Sequence, residues 1–252
     1  MPSVTTQPTH LPLPLQSDWL DWVGERGEQQ LALARSLVEG LRSDPPAEAL
    51  EVLRVWNDAQ TALSNAASIG SLFSEVHPDA TVRERAESVA QQVQKLDTDL
   101  GLDTRLYAVL SALDPSGLDA DAARVLERTL RDFHRSGVDR DEATRDRLRE
   151  LSEREILLSQ EFSKNIREDV RSIRVTPDRL AGLPQDWVDA HPVDEDGLVT
   201  VTTDYPDVVP FRTFAHDAQA RRDLATEFLT IAWPANDRVL QDIFAEIGRA
   251  HV

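Results

Sequence analysis

The sequence predicts an all-α protein, a mostly antiparallel helical bundle, with a small β insert around residues 172–204. Apolar residues recur at every third or fourth position over most of the chain, which is the spacing of an amphipathic helix. Clusters of proline, glycine, serine and aspartate interrupt this pattern, so we expect separate helices joined by short turns. The run Leu198–Thr202 has the short, β-branched composition of a strand.

Three long helices are predicted in the first hundred residues, after a flexible N-terminus formed by residues 1–16. Ser17 or Asp18 offers an N-cap for the first helix, and Ser43–Pro46 ends it. The second helix extends to Phe73 and is broken at His77–Asp79. The third helix has alternating steps of four and three, which suit packing against another helix. Its apolar stripe consists of Val82, Ala86, Val89, Val93, Leu96 and Leu100.

A long amphipathic segment that leads into a strand is predicted over residues 148–175. Its apolar residues follow steps of seven, four, four and four, and they share one face because each helical residue turns the chain by about 100°. That face consists of Leu151, Leu158, Phe162, Ile166 and Val170. After Arg171 the pattern changes to the β-type run Ile173–Val175, and Pro177 ends any helix. We therefore expect a long helix that leads into a strand, which can pair with Leu198–Thr202.

Composition limits the classes of partner. The 252 residues carry a formal net charge of −18, which argues against nucleic acid or an anionic membrane as a partner because both bind basic surfaces. Cysteine is absent, so disulfides, thiolate ligands and cysteine nucleophiles are excluded. The first residues have no basic segment followed by an apolar one, and no apolar run has the length of a membrane span. A soluble cytoplasmic protein is expected.

No complete catalytic or metal-binding motif is present. The six histidines are at least 25 residues apart, so no pair has the four-residue spacing of a His-Glu-x-x-His zinc helix. Neither a glycine-rich phosphate loop nor a Gly-x-Ser-x-Gly turn is found. We therefore assign no catalytic residue and no metal ligand in this chain.

Several short motifs nevertheless occur in an order that resembles a known enzyme family. The central helix contains Glu161–Ile166, which is followed by the turn Leu180–Pro184. Other parts of the pattern are Ser71–Pro78, Tyr205-Pro206, Pro210-Phe211 and Arg221-Arg222. In this order the motifs resemble the non-catalytic part of the zinc metallopeptidases of the thimet oligopeptidase, oligopeptidase A and peptidyl-dipeptidase family. The resemblance extends from about Trp56 to Phe244.

The resemblance implies a function for the intact protein. A member of that family is a zinc-dependent metalloendopeptidase that hydrolyses short peptides inside a deep channel. Residues 17–204 would be the N-terminal helical domain, which forms one wall of the channel, and residues 205–245 would begin the catalytic domain. We expect this chain to be truncated before the zinc helix, so that it binds no zinc and is inactive. The alternative is a self-contained helical binding module without catalytic activity.

Three residues are candidates for lining the substrate channel. In the family, the region of Tyr205, Pro210 and Phe211 leads into the catalytic domain and lies near the channel. The alternative is that all three only pack within the fold. Other polar residues also have structural explanations: His77 as a capping or packing residue, Asp217 as an N-cap, and Asn165 as part of a buried hydrogen bond to a neighbouring loop.

The end of the chain departs from the resemblance. Residues 246–252 read like the translation of a sequencing-library adapter, and we expect them to be a non-native tail. If the catalytic domain is missing, the last two helices should also leave apolar side chains uncovered. The residues concerned are Leu224, Phe228, Ile231, Val239, Leu240, Ile243 and Phe244.

Overall fold

The computed structural model describes residues 13–14 and 18–250, without the side chains of residues 247, 249 and 250. Within these residues the chain forms ten α-helices and one two-stranded sheet, which confirms the predicted fold class. The helices are α1 Trp19–Ser43, α2 Ala49–Val76, α3 Ala80–Gly101, α4 Thr104–Ser111, α5 Ala120–Ser136, α6 Glu142–Glu168, α7 Gln185–Asp189, α8 Tyr205–Phe214, α9 Ala218–Leu229 and α10 Ala235–Ala250. The strands are β1 Ser172–Val175 and β2 Val199–Thr202.

The chain divides into two compact units between Ile156 and Leu157, within α6. This boundary is defined by where the residues pack most densely against one another. The predicted domains 17–204 and 205–245 were defined differently, by the family resemblance. Those domains, and the predicted non-native tail, therefore stay predictions. In the structure α10 continues through Glu246 to Ala250. The predicted flexible N-terminus lies outside the described residues, apart from residues 13–14.

The first unit is built on α1, α2 and α3, which pack side by side. Their apolar stripes meet in a core that α4 and α5 extend. At the crossing of α2 and α3 the backbones approach closely, because a Cβ atom on Gly70 would lie 2.8 Å from the backbone nitrogen of Ala90. The fully buried side chains of this core include Leu31, Val38, Leu41, Val52, Val89, Leu106 and Leu110.

Aspartate side chains fix the starts of several helices in the first unit. Asp103 accepts hydrogen bonds from the backbone nitrogens of Arg105 and Leu106 at 2.9 and 3.0 Å, which begins α4. Asp119 accepts one from Ala122 and begins α5 in the same way. These carboxylates satisfy amides that have no partner inside the helix. At the first helix, Asp18 holds the N-cap position but its side chain makes no capping hydrogen bond.

The predicted stripe of α6 is only partly covered. Leu151 is buried, and Leu158 and Phe162 are half-buried. Ile166 is exposed, and Val170 lies beyond the end of the helix at Glu168, so the prediction that Val170 belongs to the helical stripe was wrong. The chain leaves the helix earlier because β1 begins at Ser172 and needs extended backbone before it.

The second unit contains the predicted β insert. β1 and β2 pair antiparallel, with Ile173 opposite Val201 and Val175 opposite Val199. This confirms the predicted pairing, and among residues 18–250 no strand lies outside the predicted insert. One face of the sheet packs on α8 and α9. The core of this unit comprises Val175, Leu180, Val199, Val201, Val208, Phe211, Ala215, Ala220 and Leu224.

Candidate functional site

The described part of the chain holds no group of three His, Cys, Asp or Glu side chains that is arranged to bind a metal. His10 and His251 lie outside the described residues. The other histidines make structural contacts. For example, His134 Nε2 lies 2.9 Å from the hydroxyl of Tyr107.

The structural explanations are confirmed for His77 and Asp217, and only in part for Asn165. His77 follows α2, packs its ring against Trp19, and accepts a hydrogen bond from the backbone nitrogen of Asp79. Asp217 is the N-cap of α9 and accepts from two backbone nitrogens of its first turn, each at 2.9 Å. Asn165 donates to the side chain of Asn236 at 2.9 Å. This last partner belongs to the first turn of α10, where a loop had been expected.

The three candidate channel residues all lie on α8, but they differ in accessibility. Tyr205 is 71% exposed, and its ring meets that of Phe228 edge-on. Pro210 is half-buried inside the helix. Phe211 is completely buried in the core beside Trp187. The ring of Phe211 therefore packs within the fold, and Tyr205 is the most exposed of the three residues.

A hydrogen-bond network joins α7, β2 and the start of α8. His191 Nε2 lies 2.9 Å from Oδ1 of Asp207, and the His191 ring stacks on Trp187 with centroids 3.7 Å apart. The other oxygen of Asp207 accepts from the backbone nitrogen and hydroxyl of Thr202 at 2.9 and 2.6 Å. Burial acts to raise the pKa of Asp207, but the bonds from Thr202 and His191 outweigh it, so the pKa is lowered.

This network joins three chain segments of the second unit and does not contain a Thr–His pair. The hydroxyl of Thr202 donates to Asp207, while His191 contacts the other oxygen of that carboxylate, so the side chains are not ordered as a nucleophile–histidine–carboxylate triad. The sequence alone gives no sign of this network. Its members are separated by up to twenty residues and belong to no motif, and only the packing of α7 against α8 and β2 brings them together.

Arg171 organises the connection between α9 and α10. Its guanidinium donates to Thr230 Oγ1 at 2.8 Å and to the carbonyl oxygen of Trp233 at 2.9 Å. The same group donates to Oδ2 of Asp169, which also accepts from the backbone nitrogen of Ala232. The Arg171 guanidinium and the Ala232 amide lower the pKa of Asp169. Ala232 adopts a left-handed backbone conformation (φ 60°) within this bonded segment.

A turn between β1 and β2 depends on Gly182. Its φ is +99°, and a Cβ atom there would lie 2.3 Å from the carbonyl oxygen of Phe214. The neighbouring residue Ala181 accepts a hydrogen bond from the backbone nitrogen of His216 at 2.8 Å. Glycine is needed at this position for two reasons. Any other residue would be strained at this positive φ, and its Cβ atom would collide with the backbone of Phe214.

The last helices leave apolar side chains in contact with solvent. Of the seven residues predicted to be uncovered, Leu224 and Val239 are buried, Phe228, Ile231 and Ile243 are half-buried, and Leu240 and Phe244 are exposed. Leu229 and Trp233 are exposed as well, at 76% and 59%. The expectation that most of the seven are not fully buried is confirmed.

Comparison with known proteins relates the chain to peptidases. It is 23% identical to saccharolysin of Saccharomyces cerevisiae over 186 residues, which are 68% of this chain and 26% of saccharolysin. It is 25% identical to the thimet-like oligopeptidase of Dictyostelium discoideum over 167 residues, 63% of this chain and 24% of that protein. It is 30% identical to the mitochondrial intermediate peptidase of Mus musculus over 140 residues, 54% of this chain and 19% of that protein.

The chain thus spans about a quarter of the length of the curated relatives that it matches. No family model matches it. Its distant relatives are thimet-like oligopeptidases, in agreement with the resemblance seen in the motifs. A search of the helices in residues 18–250 for a segment of sufficient length and apolar character to cross a membrane found none.

Proposed function

We propose that this chain is the non-catalytic helical part of a zinc-dependent oligopeptidase that resembles thimet oligopeptidase. In the intact protein it would form one wall of a channel in which short peptides are hydrolysed. The observation that carries the proposal is the similarity to saccharolysin and the thimet-like oligopeptidase over about a quarter of their length. This similarity agrees with the order of the short motifs between Trp56 and Phe244.

The exposed apolar side chains of the second unit support this proposal. Leu229, Trp233 and Phe244 are each more than half exposed. Covering a large apolar side chain stabilises a protein by roughly 1.5–3 kcal/mol, so three such residues in water favour association with further structure. In the proposed intact enzyme, the remaining polypeptide would cover them.

The proposal assigns separate roles to the chain and to the rest of the enzyme. Zinc and the residues that polarise the attacking water would belong to the remaining polypeptide, so the chain by itself would be inactive and free of zinc. Tyr205 would face the channel, while Pro210 and Phe211 would hold α8 in place. Short peptides would be the substrates. A cytoplasmic location stays a prediction, which fractionation of the source cells would test.

A chimera tests the proposal directly. The matching 186-residue segment of saccharolysin would be replaced by the corresponding part of this chain. We expect the chimera to bind zinc and to cleave a short quenched fluorescent peptide, with the cleavage abolished by a chelator. A matched chimera carrying Leu224→Asp should lose activity, because Leu224 is completely buried in the core of the second unit.

The opposite result would favour the alternative function. A chimera that is helical and binds zinc, but does not cleave the peptide, would show that this chain cannot replace the oligopeptidase segment. The self-contained binding module would then be the better description. The variant Tyr205→Ala separates the two roles of α8, since a channel residue should alter KM for the peptide while leaving the thermal unfolding midpoint of the chimera unchanged.

A further inference from the structure

A second candidate site lies in the first unit, away from the residues discussed above. A cleft of 340 Å³ opens between α2, α3 and α5. It has the size of a pocket for a small molecule or a single side chain. Its polar and aromatic lining consists of the side chains of Trp56, Gln60, Asp97, Thr129, Asp132 and Phe133.

Two aromatic rings form a rigid part of the lining. Trp56 and Phe133 are 8% and 4% exposed, and their ring centroids lie 6.0 Å apart with a tilt of 35°. The ring of Tyr107 supports Phe133, with centroids 5.9 Å apart. Since the rings are held by the core, the cleft is already formed before any ligand binds.

Asp97 presents a carboxylate without a counter-charge. Within residues 18–250, neither a hydrogen bond nor an ion pair to its side chain is found. The nearby cations have other partners: Lys95 lies 2.6 Å from Glu153, and Arg149 lies 3.4 Å from Asp99. The other acidic residue of the cleft, Asp132, lies 3.2 Å from Arg131 on its own helix.

The Asp97 side chain is exposed at the cleft, and no cation of the described residues pairs with it. The surrounding groups still displace enough water to raise its pKa. Groups with such environments, when they occur in a cleft, are candidates for ligand binding, because a ligand supplies the missing interaction.

We propose that this cleft binds a guanidinium group, carried by a small molecule or by an arginine side chain of a peptide. A guanidinium can donate two parallel hydrogen bonds to the Asp97 carboxylate. It can also contact the small accessible part of the Trp56 ring, whose π electrons attract a cation. The side chains of Gln60 and Thr129 offer further oxygen acceptors. The inference is independent of the proposed peptidase function.

Titration of the 252-residue chain with three probes tests the proposal. The probes are agmatine, acetyl-Ala-Arg-Ala-amide, and the same tripeptide with citrulline, whose side chain has the shape of arginine but no charge. Calorimetry or NMR should detect both guanidinium compounds and at least tenfold weaker binding of the citrulline peptide. Equal affinities for agmatine and the arginine peptide would identify the guanidinium alone as the ligand, whereas tighter binding of the peptide would add its backbone.

The variant Asp97→Asn locates the site. It should weaken binding of the arginine peptide at least tenfold while unfolding at the same temperature as the wild type or higher, because the unpaired charge is removed without a change of shape. The control Asp121→Asn removes an exposed carboxylate from the first turn of α5 and should leave the affinity unchanged. Equal binding of the citrulline peptide, unaltered affinity in Asp97→Asn, or an equal loss in Asp121→Asn would overturn the proposal.

Discussion

At the scale of single residues, the Asp207 carboxylate is expected to stabilise the second unit in a pH-dependent way. Its hydrogen bonds favour the ionised form, so the folded-state pKa lies below the unfolded value. The stabilisation is therefore complete above the pKa of an ordinary aspartate, near 4, and is lost as the pH falls through the lower folded value. Asp207→Asn should reduce the free energy of unfolding by about 1–3 kcal/mol at pH 7.

Urea unfolding of both proteins at pH 7 and pH 3 provides the measurement. The difference between wild type and Asp207→Asn should shrink at the lower pH. As a control, Asp186→Asn changes an exposed carboxylate in α7 and should have little effect at either pH. A difference between wild type and Asp207→Asn that is as large at pH 3 as at pH 7 would show that the carboxylate charge is not what stabilises the network.

Gly182 and Gly197 form a matched pair of positions. Both have positive φ, but only Gly182 is crowded, since a Cβ atom on Gly197 would meet nothing within 4 Å. Gly197→Ala should cost about 1 kcal/mol for the left-handed backbone alone. Gly182→Ala should cost roughly 1–3 kcal/mol more, because the new methyl group collides with the backbone of Phe214. Equal losses in thermal or urea unfolding would contradict the close approach.

The sequence predicted only part of this residue-scale chemistry. The N-cap role of Asp217 could be predicted because a cap and its helix are adjacent in the chain. The bonds of Asp207 to His191 and of Asn165 to Asn236 could not, since the latter pair is separated by 71 residues. Such contacts follow from tertiary packing. The burial of a side chain also follows from tertiary packing. The spacing of apolar residues therefore could not show that Phe211 is buried and Tyr205 is exposed.

At the scale of elements, Arg171 is expected to hold the α9–α10 connection together. Arg171→Ala removes hydrogen bonds to Thr230 and Trp233 and leaves Asp169 without its cation. Hydrogen exchange should therefore become faster in residues 230–236, while the β1–β2 pairing keeps its protection. Arg222→Ala on the exposed side of α9 is the control. Unchanged exchange in residues 230–236 would mean that the connection is held by other contacts.

The periodicity of α6 predicted the helix but not how much of it is covered. Leu151 and Ile166 belong to the same stripe, yet Leu151 is buried and Ile166 is 46% exposed. The spacing of apolar residues indicates which face of a helix is suited to burial. How much of that face is covered depends on which other elements pack against it. The short strands were easier to predict, because β-branched residues between Gly197 and Pro206 favour an extended conformation.

At the scale of the whole molecule, the exposed apolar side chains should make the isolated chain associate. Replacing Leu229 and Phe244 by serine should reduce the binding of a hydrophobic dye and any concentration-dependent self-association. The helical content should be retained, since both side chains are largely in water. By contrast, Leu224→Ser should unfold the second unit, because Leu224 is fully buried. Dye fluorescence and light scattering provide the readout, and unchanged values for the double variant would contradict this account.

We propose that this chain is a non-catalytic part of a zinc peptidase, and this central claim can be tested on the protein itself. The most direct measurement is zinc content together with hydrolysis of a short quenched peptide, for the 252-residue chain and the saccharolysin chimera in parallel. We predict no bound zinc and no hydrolysis for the chain, and stoichiometric zinc with chelator-sensitive hydrolysis for the chimera. One tightly bound zinc and peptide cleavage in the pure chain, or a folded zinc-loaded chimera without activity, would contradict the claim.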